Sequence, residues 1–186
     1  MLRKNPRGDY PEVHETAFVD PTAVLCGLVK VGANVFIGPY AVIRADEVDE
    51  NGDMDPIVIG ANSNIQDGVV IHSKDGAAVI IGENTSIAHR SIVHGPCEVG
   101  NNVFIGFNTV LFNTKVGSKA VIRHNCVVDG HEIPDSFYLP SATVVSKATD
   151  LDELVTVPEE AREFSESVML TNVSFAAAYR KVQNTF

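Results

Sequence analysis

The sequence predicts an all-β solenoid of short parallel strands, closed by a C-terminal α-helix. Three observations carry this. An aliphatic residue returns at every sixth position through most of the chain, glycine or asparagine follows at the bends, and near Thr149 the period stops and a helical pattern begins. A six-residue repeat is neither the 3.6 of a helix nor the 2 of a flat strand, so the chain must turn a corner within each repeat.

The anchors run Val19, Leu25, Val31, Ile37, Ile43, then Ile59, Ile65, Ile71, then Ile81, Ile87, Val93, Val99, Ile105, Leu111. After a five-residue step they resume at Val116, Ile122, Val128, and after another at Ile133, Leu139, Val145. Each hexad supplies one flat face, three faces close a triangular coil, and the anchors stack inside. Successive coils then hydrogen-bond at about 4.8 Å, the ordinary strand spacing. Gly32, Gly38, Gly60, Gly82, Gly100, Gly106 and Gly117 each follow an anchor, and Asn34, Asn62, Asn84 and Asn102 stand near corners. Both residue types tolerate the positive φ of sharp bends. The two long intervals, Ile43 to Ile59 and Ile71 to Ile81, read as corner loops, because Gly52, Pro56 and Gly76 fall within them. Residues 1–148 therefore form the solenoid. Residues 149–186 form a linker and a helix from about Glu160 to Val182, with Val168, Val173, Ala176 and Tyr179 near one face, lying along the prism or over its end.

Composition narrows the function. A net charge of −10 and a pI near 4.9 leave no basic footprint for nucleic acid. No apolar run approaches membrane-spanning length, and the first residues lack a signal-peptide core, so a cytoplasmic protein is expected. Cys26, Cys97 and Cys126 are odd in number and widely spaced, which fits buried free thiols rather than disulfides or a cysteine zinc site.

Placing polar residues on the prism yields a pattern. Ile43, Ile71 and Val93 occupy one face of successive coils, so Arg44, His72 and His94, each one position later, stack in an outward column. On the adjoining face, Ile65 and Ile87 are followed two positions later by Asp67 and His89, with Gln66 one position after Ile65. His89 and His94 thus sit around a corner from each other. Two stacked imidazoles can share a metal ion at about 2.0–2.1 Å each. A third ligand from the other face could reach that ion only if prisms pack side by side, and three such contacts close a threefold ring. His14 and His131 read as surface residues and His124 as structural.

The segments VIRADE (42–47), NSNIQDGVVIH (62–72) and SIAHRSIVHGPCEVGNNVFIG (86–106) closely resemble the γ-class carbonic anhydrases. The resemblance implies a left-handed parallel β-helix of hexapeptide repeats and a homotrimer with its active sites between subunits. It implies that His72 and His94 of one subunit and His89 of its neighbour bind Zn2+, with Fe2+ or Co2+ also compatible with imidazole. The implied reaction is reversible hydration of CO2 to bicarbonate by a metal-bound hydroxide. Gln66 matches the residue that orients this hydroxide, Asn172 a residue that places CO2, and Glu47 a carboxylate that moves protons. Arg44 and Asp67, with Asp46 and Asn64 nearby, match residues that join subunits and orient the site. Two features depart from particular members of the family: the stretch 73–79 holds Asp75 as its sole carboxylate where some active members carry a long acidic loop, and Leu170 stands where the prototype has a tyrosine. A related esterase- or thioesterase-like hydrolase, or a trimeric scaffold without catalysis, are the competing readings.

Overall fold

The anchors turn inward because each lies between two outward neighbours on a short strand, and the corners bring the next anchor back to the axis. A computed structural model describes residues 1–151 and 156–183, so part of the predicted linker and the last three positions lie outside the described residues. All strand pairs between neighbouring coils are parallel. One face is a seven-stranded ladder whose registers include Ile37 with Ile65, Ile65 with Ile87, and Ile87 with Ile105. The other two faces merge into a thirteen-stranded sheet, because Ile92–Val99 and Val110–Val116 run unbroken around the corner between them. The architecture is the left-handed hexapeptide β-helix with one C-terminal helix.

A single aliphatic column fills the prism. Leu25, Ile37, Ile43, Ile65, Ile71, Ile87 and Ile105 are all fully buried in one continuous cluster. Burying each such side chain contributes roughly 1.5–3 kcal/mol. Both long intervals are loops at the same corner. The registers of Val42 with Val70 and of Ile57 with Val79 run past them unshifted. In the longer loop the Asp49 carboxylate accepts the N–H groups of Asp53 at 2.7 Å and Asn51 at 2.9 Å. These bonds, that from Asp53 foremost, hold its pKa below the ordinary carboxylate value. The two loops also touch, through the N–H of Asp55 and the carbonyl of Gly76.

The corners separate two roles that the repeat alone had merged. Asn34, Asn62, Asn84 and Asn102 do adopt positive φ, between 53° and 58°. Their side chains also form a ladder, Asn34 Nδ2 to Asn62 Oδ1 at 3.0 Å and Asn62 Nδ2 to Asn84 Oδ1 at 3.2 Å. The glycines that follow the anchors do not adopt positive φ. They are small because corners stack: a Cβ on Gly60 would lie 2.6 Å from the carbonyl carbon of Gly82.

The helix spans Glu159–Gln183, with Glu159 and Glu160 in its first turn and Arg180 and Lys181 in its last, each matched to the helix dipole. It lies along the seven-stranded face rather than over an end. Ala161 packs near Phe104 and Val121, and Ala176 packs on Phe18 and Phe36 near the other end. Val168 joins the first contact, and Tyr179 stacks on Phe18 at 5.0 Å. Among the described residues, no helix is long and apolar enough to cross a membrane.

Candidate metal centre

The strands Val42–Ala45, Val70–His72 and Ile92–Val99 lie side by side, which places Arg44, His72 and His94 in register on one outward face. The two imidazoles meet edge to face with centroids 5.2 Å apart. His72 Nδ1 and His94 Nε2 approach to 3.3 Å. That separation matches two corners of a tetrahedron of nitrogens at about 2.0–2.1 Å from a central ion. The other ring nitrogens are already held. His72 Nε2 lies 3.0 Å from Asp46 Oδ1, and His94 Nδ1 lies 3.2 Å from the carbonyl of Gly95. Partners of this kind fix ring orientation and tautomer in histidine metal sites. The residues present therefore fit a divalent ion. Among the described residues of one chain, however, no group of three His, Cys, Asp or Glu side chains can hold a metal ion. The chain brings two donors together.

Asp46 connects the column. Its second oxygen accepts from Arg44 Nη1 at 3.1 Å, and Arg44 Nη2 lies 3.4 Å from His72 Nε2. Glu47 reaches the same His72 nitrogen at 3.6 Å, with its side chain about half exposed. Beside this column runs a stripe of outward aliphatic residues in register, among them Val70, Ile92, Val127 and Val144. Val70, Ile92 and Val144 are exposed to solvent in the single chain.

The adjoining face carries the second group. His89 is exposed, and its Nδ1 lies 3.7 Å from Asp67 Oδ2, while its ring tilts over Phe107 with centroids 5.4 Å apart. Gln66 is buried and fixed by a chain of amides: its Nε2 donates to Asn64 Oδ1 at 2.9 Å, and Asn64 Nδ2 donates to Ser86 Oγ at 2.7 Å. Asn64 thus orients Gln66. Asn172, buried on the helix, donates to the Val168 carbonyl at 2.9 Å. Gln66, Asp67, His89 and Asn172 share one cleft of about 400 Å³ between the helix and the seven-stranded face. Phe104, Phe107, Phe164, Phe175 and Tyr179 also line it.

Residues 78–113 match the family model described as bacterial transferase hexapeptide (six repeats). A carbonic anhydrase of Methanosarcina thermophila is 37% identical, over 95% of this chain and 78% of its own length. The chain belongs to the γ-class carbonic anhydrase family. The carboxysome assembly protein CcmM of a Nostoc species is 36% identical over 90% of the chain, which spans only 31% of that longer protein. A solved structure from Bacillus cereus, provisionally described as an acetyltransferase, superposes with a TM-score of 0.82 over 98% of both chains; at 22% identity it bears on the fold alone.

Within this γ-class chain, Arg44 pairs with Asp46 and Asp67 approaches His89, so the expected link between Arg44 and Asp67 is not made inside one subunit. Leu170 is exposed and does not line the cleft. Aromatic residues at other helix positions, Phe164, Phe175 and Tyr179, line it instead. Of these, sequence reasoning placed Tyr179 on the packing face of the helix and missed Phe164 and Phe175, along with Phe107 and Ser86. Phe107 was within reach of the repeat arithmetic: it follows Ile105 in the slot that His89 holds after Ile87.

Proposed function

We propose that this chain assembles as a homotrimer that catalyses reversible hydration of CO2 to bicarbonate at metal sites between subunits. The observation that carries the reading is the facing nitrogen pair of His72 and His94, each ring held from behind by Asp46 or Gly95. His89 of a neighbouring subunit would supply the third donor. Zn2+ is the expected ion, with Fe2+ or Co2+ also suited to three imidazoles. Such an ion, when bound, acidifies a water to a pKa of about 7 and so supplies the nucleophile that CO2 requires.

The protein's own residues do the rest. Gln66, fixed by Asn64 and Ser86, presents an oriented amide to the cleft, and Asn172 faces it from the helix. Glu47, close to His72 yet half exposed, is placed to pass the released proton to buffer. Arg44, Asp46 and Asp67 orient the histidines and join subunits. The aliphatic stripe beside His72 and His94 supports the trimer, since burying it would remove apolar surface from water. Three buried free thiols accord with a reducing, cytoplasmic setting.

The test combines metal analysis of anaerobically purified protein, oligomer mass, and stopped-flow CO2 hydration. One metal per subunit in a trimer with hydration activity is the expected result. No metal after reconstitution would overturn the reading. A second reading, hydrolysis of an activated ester at the same centre, is favoured by one observation: a cleft of about 400 Å³ walled by aromatic rings exceeds what CO2 needs. Bound metal with ester hydrolysis but no CO2 hydration would select it. Bound metal with neither activity would select the scaffold.

A further inference from the structure

The slot that holds Asp67 and His89 continues along the prism to Phe107 and His124, because Ile65, Ile87, Ile105 and Ile122 are in register on successive coils. Phe107 and His124 lie nearly parallel, 16° apart, with centroids separated by 4.4 Å, the closest ring pair described in the chain. On its other side Phe107 meets the His89 ring at 5.4 Å and 37°. The backbone N–H of Phe107 donates to His124 Nδ1 at 3.0 Å, which ties the His124 ring to the backbone of the preceding coil. Phe104 meets the His124 ring edge-on, and Phe104 in turn meets Phe164 of the helix.

We propose that His124 and Phe107 are positioning residues for His89: the stacked pair forms a wall that sets the tilt of the third imidazole, opposite Asp67. The inference rests on the proposed metal site, in which His89 is the donor that crosses to another subunit. Its own geometry does not depend on an ion. His89 is exposed, and among the described residues its ring meets a carboxylate at 3.7 Å and the Phe107 ring, looser than the contacts at 3.0 and 3.2 Å that hold His72 and His94. An exposed imidazole with free χ angles must lose rotamer freedom when it binds. A preformed wall removes part of that cost before binding. Asp67 lies near Nδ1, so Nε2 is the nitrogen we assign to the neighbouring subunit's ion. In the stacked pair His124 offers Nδ1 as the acceptor of the Phe107 N–H, hence as the neutral ring. Burial, aided by the neighbouring Arg123 charge, pushes the His124 pKa down and favours that form.

A simpler reading makes His124 a corner staple, since Ser118 and Asp135 also accept backbone N–H groups from the coil before. Two variants separate the readings. His124→Phe keeps a ring without the acceptor, and His124→Asn keeps a short acceptor without the ring. Phe107→Ala removes the wall, and Phe107→Tyr restores it. The primary readout is the ring 15N shifts and χ-dependent couplings of His89 in the metal-free full-length protein, followed by Co2+ affinity and the visible Co2+ spectrum. His124→Asn and Phe107→Ala should average the His89 couplings and weaken Co2+ binding by about tenfold, the low end for losing a ligand's support. His124→Phe and Phe107→Tyr should stay near the parent on both. If His124→Asn stays at parent values while His124→Phe does not, the staple reading stands and the proposal falls. Unchanged His89 couplings in Phe107→Ala would also overturn it. If the parent binds no Co2+, the metal-site reading fails by itself, and the metal-free couplings still decide this one.

Discussion

Replacing Asp46 is the sharpest test of how the column works. Its side chain is 15% exposed and touches both neighbours, His72 Nε2 at 3.0 Å and Arg44 Nη1 at 3.1 Å. Asp46→Ala removes the acceptor that holds the His72 ring. Losing such an outer partner costs about 10–100-fold in metal affinity, or roughly 1.4–2.8 kcal/mol. Asp46→Asn keeps an acceptor for the ring but loses the charge. Hydrogen bonds to charged groups are worth about twice neutral ones, so this variant should stay near the tenfold end. Stability should hardly change, because Arg44 is 39% exposed and ion pairs in such settings contribute about 0–1 kcal/mol. Zinc affinity would be measured by competition with a chromophoric chelator, with oligomer mass and melting temperature as controls. Affinity falling in the order parent, Asn, Ala is the expected result. Parental affinity in Asp46→Ala, alongside loss in His72→Ala, would show that the carboxylate does not orient the ligand.

The same structure sets further outcomes for the exposed stripe, the core and the buried thiol. Val70→Asp or Ile92→Glu on the exposed stripe should yield monomers by light scattering and lose zinc with them, although His72 and His94 are untouched. Ile71→Ala, fully buried between Ile43 and Val93, should lower stability by about 2–5 kcal/mol in chemical denaturation. The Cys97 thiol, pushed up to about 12 by burial, should not react with a disulfide reagent at pH 8 until the chain unfolds. The sign of its pH linkage is also fixed. From about pH 9, where an unfolded thiol ionises, to about 12, the unfolded state binds fewer protons, so stability falls as pH rises. Cys97→Ala should flatten that alkaline decline.

What could be read from the sequence was whatever the repeat determines by counting. Arg44, His72 and His94 are aligned because the two long intervals are pure corner insertions, and the registers bear out that count. Counting could not say why glycine follows an anchor, since a tight bend and a close approach leave the same letter. Only the distance from Gly60 to the next corner separates them. Nor could it choose the face under the helix: Val168, Ala176 and Tyr179 define an apolar side, but Phe18, Phe36 and Phe104 on one ladder decide where it docks. Nor could it name the side-chain partners of Asn64, which is buried on a strand between Gln66 and Ser86.

Among the described residues, the column brings two donors together in one chain. His72 and His94 are flanked in register by Arg44 below and Phe112 above, neither of which ligates a metal. In the proposed interfacial site the third imidazole comes from another face, and His89 lies around the corner. This makes complementation the decisive prediction for assembly. His89→Ala chains keep the pair and lack the crossing donor; His72→Ala chains keep the donor and lack the pair. In a threefold ring, any trimer containing both kinds has one interface where an intact pair meets an intact His89. Random mixing at equal ratio should therefore restore about a quarter of the parental sites, read as tightly bound zinc and as hydration rate. Each variant alone should restore none. Zinc retained by His89→Ala alone would show that the pair recruits its third ligand elsewhere, and the interfacial site would be wrong.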